Sequence, residues 1–224
     1  MIELISIHIA KTGGRSFYEI LKNEYGDKLD PRTRRIEYFP GRDFSKNLLE
    51  SIPPHVTVIH GHLFYEHVRE IHRRYDARIV TWLRDPVERV ISNYFFLMRA
   101  IREAPETHPQ RRKAAYTLME YAHDSIPDKM SKYLRGIHLQ ELFFIGFQEN
   151  YEQDLEQLTE LLSWKKPLIK PRINTGPEGT EEEDYPTRRK DITGEMREQI
   201  REMNAGDVQL YELAKSIRKE RYRD

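Results

Sequence analysis

Short apolar runs alternate with amphipathic stretches along the first half of the chain. Residues 4–9 are apolar except for Ser6 and His8 and read as a buried central strand. A helix is predicted over 16–24. Residues 26–54 carry Gly26, Pro31, Pro40, Gly41, Pro53 and Pro54, so they read mostly as loop, with a short helix over 44–51. A second strand is expected over 56–60, a helix over 64–75 and a third strand over 78–83. Pro86 suits a first helical turn and opens a helix that runs to about 102.

The second half is mainly helical. Pro105 and Pro109 break the chain over 104–110, and helices follow over 111–123 and 129–134. Residues 142–147, Leu-Phe-Phe-Ile-Gly-Phe, read as a fourth strand, and 150–162 as a helix. Residues 165–191 are loop-like and include the acidic run Glu181, Glu182, Glu183, Asp184, read as a surface loop rather than a metal site. Two helices, 193–203 and 207–222, close the chain. Strands alternating with helices argue for an α/β fold, a parallel sheet with helices on both faces. With no repeat and no separating linker, residues 1–224 are read as one domain. Ligands of such sheets bind at the carboxyl ends of the strands, so the loops 10–15, 60–63 and 84–92 should share one rim.

Composition narrows the chemistry. Lys plus Arg equals Asp plus Glu, so net charge does not point to nucleic acid, although a local basic pocket is compatible with it. There is no cysteine, which removes disulfides, thiolate zinc sites and cysteine nucleophiles. No apolar run approaches the roughly 20 residues of a membrane span, and no basic and apolar leader precedes the first strand. A soluble, cytoplasmic protein is expected.

The rim loops carry polar groups that plain turns do not need. After the first strand come Lys11, Thr12, Gly13 and Gly14, with a helix starting near Arg15 or Ser16. Glycines let backbone N–H groups turn toward a ligand, a helix N-terminus adds partial positive charge, and Lys11 and Ser16 add donors. An ordinary βα turn is the plainer alternative. The third loop begins with Arg84 and places Arg89 and Ser92 on its helix. A guanidinium fork and a hydroxyl suit phosphate oxygens, whereas pairing of Arg84 with Asp85 or Glu88 would be purely structural. The second loop reads His60-Gly61-His62. His67 and His72 do not share a helix face well enough to complete a zinc site, and a general base fits better.

Together these loops resemble those of sulfotransferases that use 3′-phosphoadenosine 5′-phosphosulfate (PAPS). Lys11-Thr12-Gly13-Gly14-Arg15-Ser16 looks like the family's 5′-phosphosulfate loop, usually Pro-Lys-Thr-Gly-Gly-Thr-Ser. Arg84-Asp85-Pro86, followed by Arg89, Ser92 and Tyr94, is similar to its 3′-phosphate motif. Gly61-His62 resembles the catalytic histidine segment of the heparan sulfate 2-O-sulfotransferase branch. Phe147 to Tyr151 occupy the place of the Glu-containing strand-to-helix turn, and Asn204, Asp207, Leu210 and Tyr211 look like the closing Asn-x-x-Asp-x-x-Leu-Tyr helix. Ala10 replaces a frequent proline and Arg15 a usual Thr or Ser. The chain looks like a compact bacterial-type relative.

The resemblance implies a P-loop NTPase-like three-layer fold with a central, mainly parallel sheet. It implies transfer of a sulfuryl group from PAPS, without a metal, to an acceptor hydroxyl, with a carbohydrate favoured and a small alcohol, lipid or phenol still open. Lys11 would meet the bridging oxygen. Thr12, Gly13, Gly14, Arg15 and Ser16 would hold the phosphosulfate, and Arg84 and Ser92 the 3′-phosphate. His62 would be the base, with His60 as alternative or partner. Ile173-Asn174-Thr175 and Arg188-Arg189-Lys190 fall where the family often closes over the nucleotide, although a solvated charge run would look the same. Tyr94, Phe95 and Phe96 sit at helical spacing and are read as core rather than an adenine stack. A kinase on the same fold would need lysine after the second glycine of its loop, and here Lys11 precedes both glycines. The remaining alternative is a binding module without catalysis, which would have no need of a base.

Overall fold

A computed structural model describes residues 1–30, 52–107, 109–165 and 185–221. The helix expected over 44–51, the acidic run at 181–184 and the segment Ile173-Asn174-Thr175 lie outside these residues. Among the described residues five strands form one sheet: β1 (Leu4–Ile7), β2 (Leu29–Asp30), β3 (Val58–Gly61), β4 (Arg78–Leu83) and β5 (Phe144–Phe147). Their order is β2-β3-β1-β4-β5, and all four pairings are parallel. β1 therefore lies between β3 and β4, which brings the three rim loops side by side as the alternation predicts.

Among the described residues the helices are α1 (Gly14–Tyr25), α2 (Tyr65–Tyr75), α3 (Pro86–Glu103), α4 (Leu118–Asp124), α5 (Lys129–Tyr133), α6 (Tyr151–Leu161), α7 (Gly194–Met203) and α8 (Ala205–Arg221). Side chains alternate across the pleated strands, so each strand feeds two layers. Ile5, Ile7, Ile59 and Ile79 pack with Val68 and Ile71 of α2, Met130 and Tyr133 of α5, and Ala214 of α8. Leu4, Val58, Val80, Trp82 and Phe144 pack on the other face with Phe17 of α1 and Leu155 of α6. The result is a three-layer α/β fold of the P-loop-like type. A third apolar cluster joins α3, α4 and α7 beyond the strand ends, around Tyr94, Leu118, Tyr121 and Ile200.

Two elements depart from the sequence pattern. The helix expected over 111–123 is broken. Arg111–Ala115 forms a 3-10 turn, and Thr117 then caps α4 in a reciprocal box with Glu120, so the apolar periodicity spans two short pieces. β2 was expected as loop. Its two residues, Leu29 and Asp30, pair with Val58 and Ile59 at the sheet edge, too few to leave a periodic signature.

The closing helices fasten the floor of the rim. The Asp207 carboxylate, fully buried at the start of α8, accepts from Met130 N at 3.0 Å and Ser131 N at 2.7 Å, satisfying first-turn donors of α5. Asp207 N donates to Asp128 at 2.9 Å, and Asn204 accepts from Asp128 N at 3.2 Å. The buried Arg89 guanidinium stands 3.9 Å from Asp207. Truncating Asp207 leaves these donors and that charge unmatched. Asp207→Ala is therefore expected to cost about 3 kcal/mol, a fall in Tm of roughly 6–12 °C. An unchanged melting curve would remove this network from the supports of the fold.

Candidate active site

The turn after β1 is built for close approach. Lys11 takes a left-handed backbone (φ 72°), uncommon for a side-chain-bearing residue and typical of functional turns. Arg84 Nη1 donates to the Lys11 carbonyl at 3.3 Å, so the first and third rim loops are joined. Gly13 (φ 91°) is also left-handed, and a Cβ there would strike the Gln148 side chain. A Cβ on Gly14 would run into the His8 ring. Gly13 caps α1 without any side-chain bond, and no acidic residue stands in the first turn. The helix thus presents unmatched N–H groups and the positive end of its dipole to the rim.

Two cavities meet at this turn. The smaller, about 160 Å³, is lined by Gly13 and Ser16 of the turn, Ser92, Phe95 and Arg99 on α3, and Arg84, Gln148, Tyr151 and Arg189 from other elements, together with Lys11 and Phe96. Among the described residues four cations line it and no carboxylate does, which suits a multiply charged anion. The larger cavity, about 570 Å³, has His8, Arg15 and His62 on one wall. Asn93 and Leu97 of α3 lie on another, and Lys113, Tyr121, Asp124 and Ile126 close it. Lys11, Gly13 and Phe96 belong to both walls. The Lys11 ammonium stands 4.2 Å over the Phe96 ring. Burial, helped by Arg84, Arg99, Arg15 and Arg189, pulls the Lys11 ammonium down to about 8.

His62 is held in one tautomer. Its Nδ1 lies 2.8 Å from the His8 carbonyl oxygen. A carbonyl can only accept, so Nδ1 carries the hydrogen, and in the neutral ring Nε2 keeps its lone pair for a proton. His60 is placed differently. It is buried in β3 with Nδ1 2.8 Å from Ser6 Oγ, and it does not line either cavity.

The remaining expected residues separate along the same lines. Ser16, Arg84 and Ser92 share the smaller cavity with Lys11 and Gly13, whereas Arg15 and Gly14 line the larger. Thr12 is fully buried and donates its hydroxyl to the Ile9 carbonyl at 2.8 Å, so it braces the turn. Of the late basic triplet, Arg189 reaches the smaller cavity with its guanidinium 4.1 Å over the Phe95 ring, while Arg188 pairs with Asp191. Tyr94 and Phe95 are buried as expected. Phe96 is 44% exposed and lines both cavities, which corrects its assignment to the core.

Sequence reasoning missed His8, Arg99 and the placement of Gln148 and Tyr151. Arg99 had a signal: Ser92, Phe95, Phe96 and Arg99 fall at i, i+3, i+4 and i+7, one face of α3. Glu149, by contrast, is structural here. It accepts from Asp85 N at 2.8 Å and from the Tyr211 hydroxyl at 2.9 Å, tying the loop that carries Arg84 to α8. Among the described residues no group of three or more His, Asp or Glu side chains is placed to hold a metal, and no helix is long and apolar enough to cross a membrane.

No family model matches the sequence, and no curated protein matches it. Solved structures do. The chain is similar to a sulfotransferase from Alicyclobacillus acidocaldarius, with 17% identity over 96% of each chain and a TM-score of 0.50. It is also similar to mouse sulfotransferase SULT7A1 complexed with PAP, with 14% identity, a TM-score of 0.60, and coverage of 97% of this chain and 88% of that one. At these identities the likeness is one of fold.

Proposed function

We propose that the protein is a PAPS-dependent sulfotransferase that transfers a sulfuryl group to an acceptor hydroxyl, with a carbohydrate as the favoured acceptor class. The observation that carries this reading is the position of Lys11, on the wall common to a cation-lined cavity and a larger one bearing His62. Sulfuryl transfer needs two groups aligned and the charge on the leaving oxygen met. In this reading Arg84, Ser92, Arg99 and Arg189 hold the donor's phosphates, and the open N-terminus of α1 with Ser16 holds the phosphosulfate. His62 Nε2 takes the acceptor's proton as the acceptor oxygen bonds to sulfur. The bond from sulfur to the bridging oxygen breaks, and Lys11 meets the negative charge left on the 5′-phosphate.

The first test is binding of adenosine 3′,5′-bisphosphate (PAP) by calorimetry. Micromolar affinity is expected, weakened by Arg84→Ala, and no heat or thermal shift at millimolar ligand would sink the reading. The pH dependence is specific. Free Lys11 loses its proton near pH 8, whereas a bound phosphate favours the ammonium. Binding should therefore take up a proton above about pH 8, and affinity should fall toward tenfold per pH unit as pH rises further. A flat profile between pH 7 and 9.5 would place Lys11 away from the ligand.

A further inference from the structure

The His62 ring is not held by a carbonyl alone. Its imidazole is stacked on that of His8, with ring centroids 4.1 Å apart and planes 23° from parallel. The His8 ring is in turn pressed against Gly14, where even a Cβ has no room, so His8 is fixed from the side of α1. Its main-chain carbonyl is the same group that receives the His62 Nδ1 hydrogen. One residue therefore supplies both the surface and the acceptor that orient the His62 ring. His8 is mostly buried, yet it lines the larger cavity beside His62.

We infer that His8 is a positioning residue for His62: the stacked pair holds the His62 ring in one orientation and admits one proton at a time. Two imidazolium rings face to face repel, so a proton on either ring opposes a second on its neighbour, and the rings titrate as a coupled pair. A planar, neutral His8 also presents a polarisable face to the imidazolium that His62 becomes on accepting a proton. Other charged and titratable groups face the pair. The His60 ring of β3 is stacked on His8 at 5.2 Å, and Lys11, Arg15, Arg89, Lys113, Asp124 and Lys129 line the cavity. They are common to every variant below.

The catalytic part of this inference rests on the sulfotransferase reading, while the pairing does not, so two readouts are used. The first is an NMR pH titration of the His62 Cε1–H resonance in the wild type, His8→Phe and His8→Ala. The wild-type resonance is expected to titrate in two steps spread over more than one pH unit. Each variant is expected to titrate in a single step. The second readout is turnover with PAPS. His8→Phe keeps a flat ring under His62 and is expected within about threefold of the wild-type kcat, with its acid limb narrowed to one ionisation. His8→Ala removes the surface and is expected to lose about tenfold in kcat with KM for PAPS unchanged. Superimposable titrations in wild type and variants would overturn the pairing, and an undiminished kcat in His8→Ala would overturn the positioning role. A wild type that turns over no PAPS with any acceptor would overturn the catalytic part and the reading beneath it, with the pairing still decided by the NMR curves.

Discussion

Lys11→Ala retains PAP binding and loses at least a hundredfold in sulfuryl transfer. The expectation follows from the different jobs of the cations around the donor cavity. Arg84, Arg99 and Arg189 remain in the variant and still attract a polyanion, so binding weakens by the loss of the Lys11 charge, as it does above about pH 8, but persists. Of these four cations Lys11 is the one on both cavity walls, where the proposed reaction builds charge on the leaving oxygen. Removing a preorganised donor aimed at developing charge typically costs a factor of about 10²–10³. Lys11→Arg keeps the charge but changes its reach and geometry, and should recover only part of the rate. Single-turnover rates with saturating PAPS separate the chemical step from binding. A Lys11→Ala rate within threefold of the wild type would rule out its role at the breaking bond.

His62→Ala is expected to lower kcat by about 10²–10⁴ while leaving PAP affinity unchanged. The separation is predicted because His62 lines the larger cavity and not the smaller. His60→Ala makes a contrast. The His60 ring is buried against Ser6, so its loss should appear first in the melting temperature and only secondarily in kcat. If His60→Ala removes turnover at unchanged stability and His62→Ala does not, the base is His60.

The fold was readable where the chain repeats a simple period. The strand over 78–83 emerged with its boundaries intact, and the order of strands and helices gave the parallel sheet. Strand ends were less legible. Sequence pattern carried the first strand through His8 and Ile9, both buried, yet β1 ends at Ile7: His8 N makes a last bond to the Gly61 carbonyl at 2.8 Å and the chain then enters the turn that places Lys11. Burial and strand pairing coincide in the middle of a sheet and part at its rim, which is where function sits. Thr117 shows the converse, a local cap that overrides an apolar period.

The site was readable as a set of loops but not as two chambers. Lys11, Ser16, Arg84 and Ser92 come together as the spacing suggested. Phe96 stands on the wall common to both cavities, and its helical spacing beside Tyr94 and Phe95 looks like core from sequence alone. His8 was hidden by its strand context, where a single polar residue in an apolar run has no period to announce it. Its meaning appears only when β1 and β3 lie side by side and set its ring on that of His62.

The central claim is tested most directly by incubating the wild-type protein with radiolabelled PAPS and a panel of hydroxyl acceptors, sugars first, then phenols, lipids and small alcohols. The account predicts label transferred to an acceptor with an equal amount of PAP formed, and both products formed at least a hundredfold more slowly by Lys11→Ala. Label that stays in PAPS with every acceptor class, under conditions where PAP binds, would contradict it.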